Sequence, residues 1–271
     1  MMHKCGYIGR SPYMIEVMLQ KDNIDLTNVL FEGNMPQSLL DKLAEKQIPV
    51  VFFTNKAELV AAIKEADATD YFMYLCGIII PEEITNNYSI INIHPGSLEN
   101  NKGATPVIRA ILRGDKYTVV NAYRITEEID TGKIIARKII TVVNDDSVSL
   151  TRKIEAAIPE IIDRVLDDCD SKSKRDSFYC RRVSESEFTI DLKRDSIEDV
   201  EKKVRSQAIY YGAIYGDSRI VDMNVDSYDW NVVSEDDDKV ICEVVSKVVL
   251  KKKDTNAKRD SWHSGTAGGW R

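Results

Sequence analysis

The sequence predicts an α/β protein with a doubly wound, mostly parallel sheet, followed by a small β-rich C-terminal domain. Short apolar segments rich in β-formers alternate with amphipathic helical patterns through the first two-thirds of the chain, and the connections between them are short. The segment 71–76 is apolar throughout, as expected for a strand buried on both faces. In such sheets ligands bind at the carboxyl ends of the strands, so polar residues there are candidate site residues.

The elements of the first domain follow from hydrophobic periodicity and from helix end signals. Thr105 can cap a helix that has Pro106 at its first position and Gly114 after its end. In chain order the predicted strands are 3–8, 28–31, 50–53, 71–76, 89–93, 117–124 and 133–143, and the predicted helices are 12–19, 35–46, 56–66, 106–112 and 149–166.

Composition divides the chain into three parts. Residues 167–176 are polar and charged, which is typical of a linker. We therefore expect a first domain at 1–170 and a small C-terminal domain at 171–250. Residues 251–271 offer little to bury, and we expect a flexible tail there. The C-terminal domain is predicted to contain one helix at 197–204 and strands at 213–215, 218–222 and 239–249.

Charge and hydropathy restrict the partners. The chain has 37 basic and 44 acidic residues, and a net charge of −7 repels a polyanion on average, so we expect no nucleic acid partner. The longest apolar run covers 78–81, with Leu75 and Cys76 before it. It is far shorter than the roughly 20 residues that a bilayer span needs. No signal peptide pattern is visible at the start. We expect a cytoplasmic protein without membrane contact.

The cysteines and histidines do not form a metal-binding pattern. The chain has five scattered cysteines, no C-x-x-C pair and three histidines. This predicts reduced thiols and no metal. The cysteines are Cys5, Cys76, Cys169, Cys180 and Cys242.

Two polar side chains end the fifth predicted strand. Strand alternation sends Asn92 and His94 to one face and Ile93 to the other. The pair stands at the strand's carboxyl end, directly before Pro95 and Gly96. Core packing is a poor explanation for two polar groups at this place. The alternative is a half-buried structural histidine beside a turn asparagine.

The second polar element, Asp130-Thr131-Gly132, lies between two predicted strands. Gly132 can supply an unusual backbone angle there, and the plainer interpretation is an Asx-type turn. The same tripeptide opens aspartic protease sites, but those need a second carboxylate. Only one copy is present, and Lys133 follows it, which argues against a protease.

Taken together, these elements resemble the folate-dependent formyltransferase family. Its pattern N-x-H-P-S-L-L-P-x-x-R-G-x-x-P, followed by D-x-G, is matched by the stretches 91–98, 102–106 and 129–135. The aspartate follows the histidine by 130 − 94 = 36 residues. This chain departs from the pattern at an extra Gly96, at 99–101 in place of Leu-Pro, and at Lys102 where arginine is commoner.

The resemblance implies that Asn92, His94 and Asp130 are catalytic. Attack of an amine on a formyl carbon builds negative charge on the formyl oxygen, which needs hydrogen-bond donors. The Asn92 amide and a protonated His94 can both donate. Asp130 can accept a proton from the amine and favour the protonated state of His94. No acyl-enzyme intermediate is required, so no nucleophilic serine or cysteine is needed.

The donor implied by the resemblance is 10-formyltetrahydrofolate. In similar proteins its pterin is bound by main-chain groups of the loop after the fourth strand and of the loop before the catalytic aspartate. The alternative for the first of these loops is a simple buried strand end. The implied contacts are Cys76, Gly77, Ile78, Ile80, Thr126, Glu127 and Ile129.

The sequence after the linker indicates which class of amine accepts the formyl group. The stretches 178–182, 190–192, 204–205 and 211–213 resemble F-Y-G-R-R, I-D-W, I-R and G-A of sugar-nucleotide formyltransferases. The resemblance implies transfer to the amine of a nucleotide-linked amino sugar, for example a dTDP-4-amino-4,6-dideoxyhexose, in lipopolysaccharide or surface glycan biosynthesis by a homodimer. The expected substrate contacts are Arg10, Ser11, Lys102, Tyr179 and Arg182, and each could instead be a surface charge or a packing residue.

Three alternatives remain open at this point. A methionyl-tRNA formyltransferase has a related second domain, but one that binds a polyanion. A 10-formyltetrahydrofolate hydrolase would share the three catalytic residues without an amine pocket. A binding module on this fold would have no need for all three.

Overall fold

The structure is a computed structural model that describes residues 2–98, 101–126, 131–167, 183–210, 212–235 and 240–252. A seven-stranded sheet in the order β3-β2-β1-β4-β5-β6-β7 forms its centre. The strands up to β5 pair in parallel, whereas β5–β6 and β6–β7 are antiparallel. The strands are β1 His3–Gly9, β2 Ile24–Glu32, β3 Val50–Phe53, β4 Asp70–Tyr74, β5 Ser89–His94, β6 Tyr117–Arg124 and β7 Ile134–Thr141.

Six helices accompany this sheet in the described part of the chain. Their starts carry the expected signals: Ser11 caps α1 by accepting from the Met14 N–H, and Asp146 forms a capping box with Ser149 on α6. The helices are α1 Pro12–Leu19, α2 Gln37–Glu45, α3 Lys56–Glu65, α4 Glu82–Thr85, α5 Pro106–Arg113 and α6 Ser147–Leu166.

Two hydrophobic clusters cover the two faces of the sheet. One contains the buried hydrophobic residues of α1, α2 and α6 together with Ile111 of α5, and the other those of α3 and α4. Helices on both faces explain why the central strands β1 and β4 are almost continuously buried. The predicted doubly wound, mostly parallel sheet is confirmed.

Local predictions failed where tertiary contacts decide the structure. Strand β2 is longer than the predicted 28–31 because its pairing with β1 already begins at Ile24. The short helix α4 was not predicted. Thr105 precedes α5 but makes no side-chain cap, because its hydroxyl accepts a hydrogen bond from the Val183 N–H instead, at 3.4 Å. The predicted capping role of Thr105 is therefore wrong.

The C-terminal part contains helix α7 (Ile197–Ser206) and an antiparallel sheet of β8 (Ala213–Tyr215), β9 (Ser218–Glu235) and β10 (Val240–Lys252). Helix α7 packs on β8, β9 and α5. Because β10 ends at Lys252, the first two residues of the predicted tail belong to a strand. The remaining tail residues and the predicted boundary at 170 lie outside the described residues, so the division into domains stays a prediction. Within the described ranges, no helix is long and apolar enough to span a membrane.

Candidate active site

The carboxyl ends of the parallel strands bring Arg10, the loop 75–81 and His94 to one edge of the sheet. Arg10 follows β1, and Glu32 ends β2. The loop 75–81 follows β4, and His94 ends β5. This is the edge at which open α/β sheets bind ligands.

The alternation predicted for β5 is observed. Ile91 and Ile93 pack into the cluster that contains α6. Asn92 and His94 therefore face the other side of the sheet. Asn92 is half-buried, and its Nδ2 donates a hydrogen bond to the hydroxyl of Tyr123 over 2.8 Å. Tyr123 lies directly opposite Asn92 on the neighbouring strand β6.

His94 is almost fully buried, and its ring is oriented by a main-chain carbonyl. Its Nε2 lies 3.0 Å from the carbonyl oxygen of Asn101. A carbonyl can only accept, so Nε2 carries the hydrogen in this bond. Asn101 is itself held, because its Nδ2 donates to the carbonyl of Pro106 over 2.7 Å.

Gly96, the extra residue relative to the family pattern, permits this arrangement. A Cβ at this position would lie 2.4 Å from the Pro106 Cβ and 3.1 Å from His94 Nε2. Asn121, which pairs with His94 across the strands, donates from Nδ2 to the Gly96 carbonyl over 2.7 Å. The loop after β5 is therefore fastened closely around the histidine ring.

The Asp130-Thr131-Gly132 turn is described in part. Asp130, Glu127 and Ile129 lie outside the described residues, so their predicted roles stay predictions. The hydroxyls of Thr126 and Thr131 lie 2.8 Å apart.

Gly132 is required by packing and not by its backbone angle. Its φ is not positive, so the expectation of an unusual backbone angle is wrong. A Cβ there would lie 1.6 Å from the Arg124 carbonyl oxygen and 3.0 Å from a ring carbon of Tyr123. The turn therefore packs directly against the tyrosine that contacts Asn92.

An arginine–glutamate pair fixes the loop after β4. The Arg10 guanidinium donates to both carboxylate oxygens of Glu32, at 2.9 and 2.8 Å, and from Nε to the Leu75 carbonyl at 2.8 Å. Glu32 also accepts from the Gly77 N–H at 2.7 Å. Leu75 has a φ of 55°, a left-handed conformation that is uncommon for leucine and that this bond to its carbonyl helps to hold.

These bonds limit what the loop can offer a ligand. The Gly77 N–H is already used by Glu32, and Ile80 is buried. Burial raises the pKa of the Cys76 thiol to about 12, so this thiol is no nucleophile at neutral pH. The loop exposes Leu75 and Ile79, which are 39% and 57% accessible. The predicted folate contacts at Cys76, Gly77, Ile78, Ile80 and Thr126 stay predictions.

The expected substrate contacts have varied surroundings. Arg10 makes the loop bonds described above, and the buried Ser11 caps α1. Lys102 is only 7% exposed, and no hydrogen bond or ion pair to its ammonium group is observed among the described residues. Tyr179 and Arg182 lie outside those residues. All five assignments stay predictions. Within the described ranges, no three His, Cys, Asp or Glu side chains cluster as metal ligands.

Fold and site together define an α/β enzyme whose polar residues converge at the carboxyl edge of its sheet. Residues 18–166 match the formyl transferase family, which is 149 of the 271 residues. The chain belongs to the formyl transferase family. This confirms the resemblance drawn from the motifs and the expected class of enzyme, a formyltransferase.

Individual relatives add detail. A methionyl-tRNA formyltransferase from Sulfurihydrogenibium sp. is 26% identical over 74% of this chain and 72% of its own length. HypX from Aquifex aeolicus, solved with tetrahydrofolic acid, has a TM-score of 0.63 at 15% identity over 85% of this chain. This chain spans about two-fifths of HypX, 39%. An N-formyltransferase from Helicobacter canadensis, solved with folinic acid and dTDP-3-aminofucose, has a TM-score of 0.62 at 17% identity over 93% of this chain and 100% of its own.

Sequence reasoning missed Glu32, Asn101 and Tyr123. Nothing in the local sequence marks Glu32 or Asn101, because their partners are far away or in the main chain. Tyr123 had a signal, since it alternates with Asn121 on one face of a predicted strand. Its pairing with Asn92 depends on strand register, which the sequence does not supply.

Proposed function

We propose that this protein transfers the formyl group of 10-formyltetrahydrofolate to the amine of a nucleotide-linked amino sugar. The observation that carries the proposal is the placement of Asn92 and His94 on one face at the end of β5, in the part of the chain that matches the family. They lie at the same edge of the sheet as the loop 75–81, which follows β4.

The geometry suits formyl transfer. The amine nitrogen attacks the formyl carbon, the new C–N bond forms, and the formyl oxygen becomes negative. The Asn92 amide has two N–H groups, of which one bonds Tyr123, so the second can donate to this oxygen. Protonated His94 can donate from Nδ1. The formyl C=O then re-forms as the bond to the folate nitrogen breaks, and tetrahydrofolate leaves with its nitrogen protonated. The amine gives up one proton, and we propose Asp130 as the base that accepts it and passes it on to the leaving nitrogen.

The donor assignment has support from relatives and from the loop after β4. HypX was solved with tetrahydrofolic acid, and the Helicobacter canadensis enzyme with folinic acid. The exposed side chains of Leu75 and Ile79 offer apolar contact to a flat ring system.

Charge and a structural relative support the acceptor class. The net charge of −7 disfavours a polyanionic substrate. The Helicobacter canadensis enzyme, solved with dTDP-3-aminofucose, is matched over its whole length. Buried Lys102 would supply positive charge to a diphosphate. We further propose that the protein is a homodimer, that it is cytoplasmic, and that it acts in surface glycan synthesis.

Methionyl-tRNA formyltransferase is the second candidate. It is favoured by the 26% identical relative, which bears that name. This function would need a basic surface, and the chain has more acidic than basic residues.

A mass-spectrometric assay tests the proposal. Purified protein is incubated with 10-formyltetrahydrofolate and, separately, with dTDP-, UDP- and GDP-linked amino sugars, glycinamide ribonucleotide and charged initiator tRNA. We expect one formyl group on one sugar nucleotide. Formylation of the tRNA alone would establish the second candidate. Loss of formyl from the folate without any formylated acceptor would indicate a hydrolase and overturn the proposal.

A further inference from the structure

The geometry points to Tyr123 as a positioning residue that orients the Asn92 amide for the formyl oxygen. This inference rests on the proposed function and adds to it a residue outside the family motif. Tyr123 and Asn92 are directly paired across β5 and β6, so their side chains leave the sheet on the same face. The 2.8 Å bond joins Asn92 Nδ2 to the tyrosine hydroxyl.

Tyr123 is itself rigidly held. It is 2% exposed and packs with Leu98 and Ile134, which are also fully buried. Gly132 lies against its ring, where a Cβ would approach within 3.0 Å. The tyrosine therefore packs against Leu98 of the loop after β5 and against Gly132, and it bonds Asn92. Its hydroxyl has little freedom to move away from Asn92.

The orientation of Asn92 matters because a carboxamide has two different ends. Rotation by about 180° around its last bond exchanges the nitrogen and the oxygen. Only the nitrogen end can donate to a negative formyl oxygen, whereas the oxygen end would repel it. With one N–H fixed on Tyr123, the second N–H has a defined direction. This pre-organisation stabilises the transition state without further rearrangement.

Tyr123→Phe tests the inference because it removes the hydroxyl and keeps the ring. We expect kcat to fall about tenfold, as for the loss of one hydrogen bond, with the KM for 10-formyltetrahydrofolate nearly unchanged. Tyr117→Phe is the matched control, because Tyr117 is 61% exposed at the other end of β6. Its kcat should equal that of the wild-type protein.

A double-mutant cycle with Asn92→Ala separates positioning from packing. If Tyr123 acts through Asn92, adding Tyr123→Phe to Asn92→Ala should change kcat by less than about twofold. A normal kcat in Tyr123→Phe, or full effects of both substitutions in the double variant, would overturn the inference while the proposed function stands. A wild-type protein without transfer activity would overturn the proposed function, and the inference with it.

Discussion

Two regions of the site are built in different ways. At the end of β5, the side chains of Asn92 and His94 face the site, and neighbouring residues hold them from behind. In the loop 75–81 the side chains are mostly apolar, and Arg10 and Glu32 hold the main chain through the Leu75 carbonyl and the Gly77 N–H. The first region can therefore supply directed hydrogen-bond donors for chemistry. The second is a fixed surface with the exposed side chains of Leu75 and Ile79, which we propose binds the donor.

This comparison predicts that the two regions affect different kinetic constants. Changes at the end of β5 should lower turnover, because they remove interactions made only in the transition state. Changes behind the loop 75–81 should weaken donor binding, because they leave the reacting groups in place.

The largest effect is expected at His94 and Asn92. His94→Ala or Asn92→Ala should lower kcat about 100- to 1000-fold, the usual loss for one oxyanion donor. Steady-state kinetics with saturating folate would measure it. His3→Ala, at the start of β1 and so at the opposite edge of the sheet, is the control. Turnover close to the wild-type value in either variant would contradict the assigned roles.

A smaller effect is expected at Glu32. Glu32→Gln removes the charge that pairs with Arg10 and weakens the bond to the Gly77 N–H. The KM for 10-formyltetrahydrofolate should rise about tenfold, which corresponds to the loss of a charge-assisted hydrogen bond. Glu83→Gln is the matched control, because Glu83 forms an exposed pair with Lys64 that should contribute little. A Glu32→Gln variant that lowers kcat alone would remove the distinction between the regions.

The tautomer of His94 can be read without any substrate. Nitrogen-15 NMR distinguishes the two neutral tautomers, and only His3 and His263 contribute further histidine signals. Neutral His94 should carry its hydrogen on Nε2, because the Asn101 carbonyl accepts it. A dominant Nδ1–H form would show that the carbonyl does not fix the ring.

The smallest expected effect is on the rate at which the Cys76 thiol is alkylated. Burial, with a further contribution from the Glu32 carboxylate, raises its pKa to about 12, so the neutral thiol persists up to that pH. Alkylation by iodoacetamide, which requires the thiolate, should be much slower at pH 8.5 in the folded than in the unfolded protein. The rate should rise as the pH approaches 12. Peptide mass spectrometry would follow the alkylation of Cys76. Equal rates in the folded and the unfolded protein would show that the loop is open.

The sequence predicted most of the sheet, because buried strands and capped helices have local signals. Ser11-Pro12 marks the start of α1 correctly, and the bounds of α1, β3 and β6 agree with the prediction. Strand β2 was predicted too short, because Asp25 and Thr27 interrupt its apolar pattern while pairing with β1 begins at Ile24.

The site was predictable only where a motif carries it. Asn92 and His94 could be found from strand alternation together with the family pattern. The residues that hold them, Tyr123 and Asn101, depend on register and on loop closure, which are tertiary properties. Thr105 illustrates the same limit, since its hydroxyl bonds a distant N–H although its position favours a cap.

Calorimetric titration with folinic acid tests the central claim most directly, because this compound reports donor binding in the absence of an acceptor amine. The wild-type protein and His94→Ala should bind it with dissociation constants within about threefold of each other, whereas Glu32→Gln should bind about tenfold more weakly. Loss of binding in His94→Ala together with unchanged binding in Glu32→Gln would contradict the division between a catalytic strand end and a donor-binding loop.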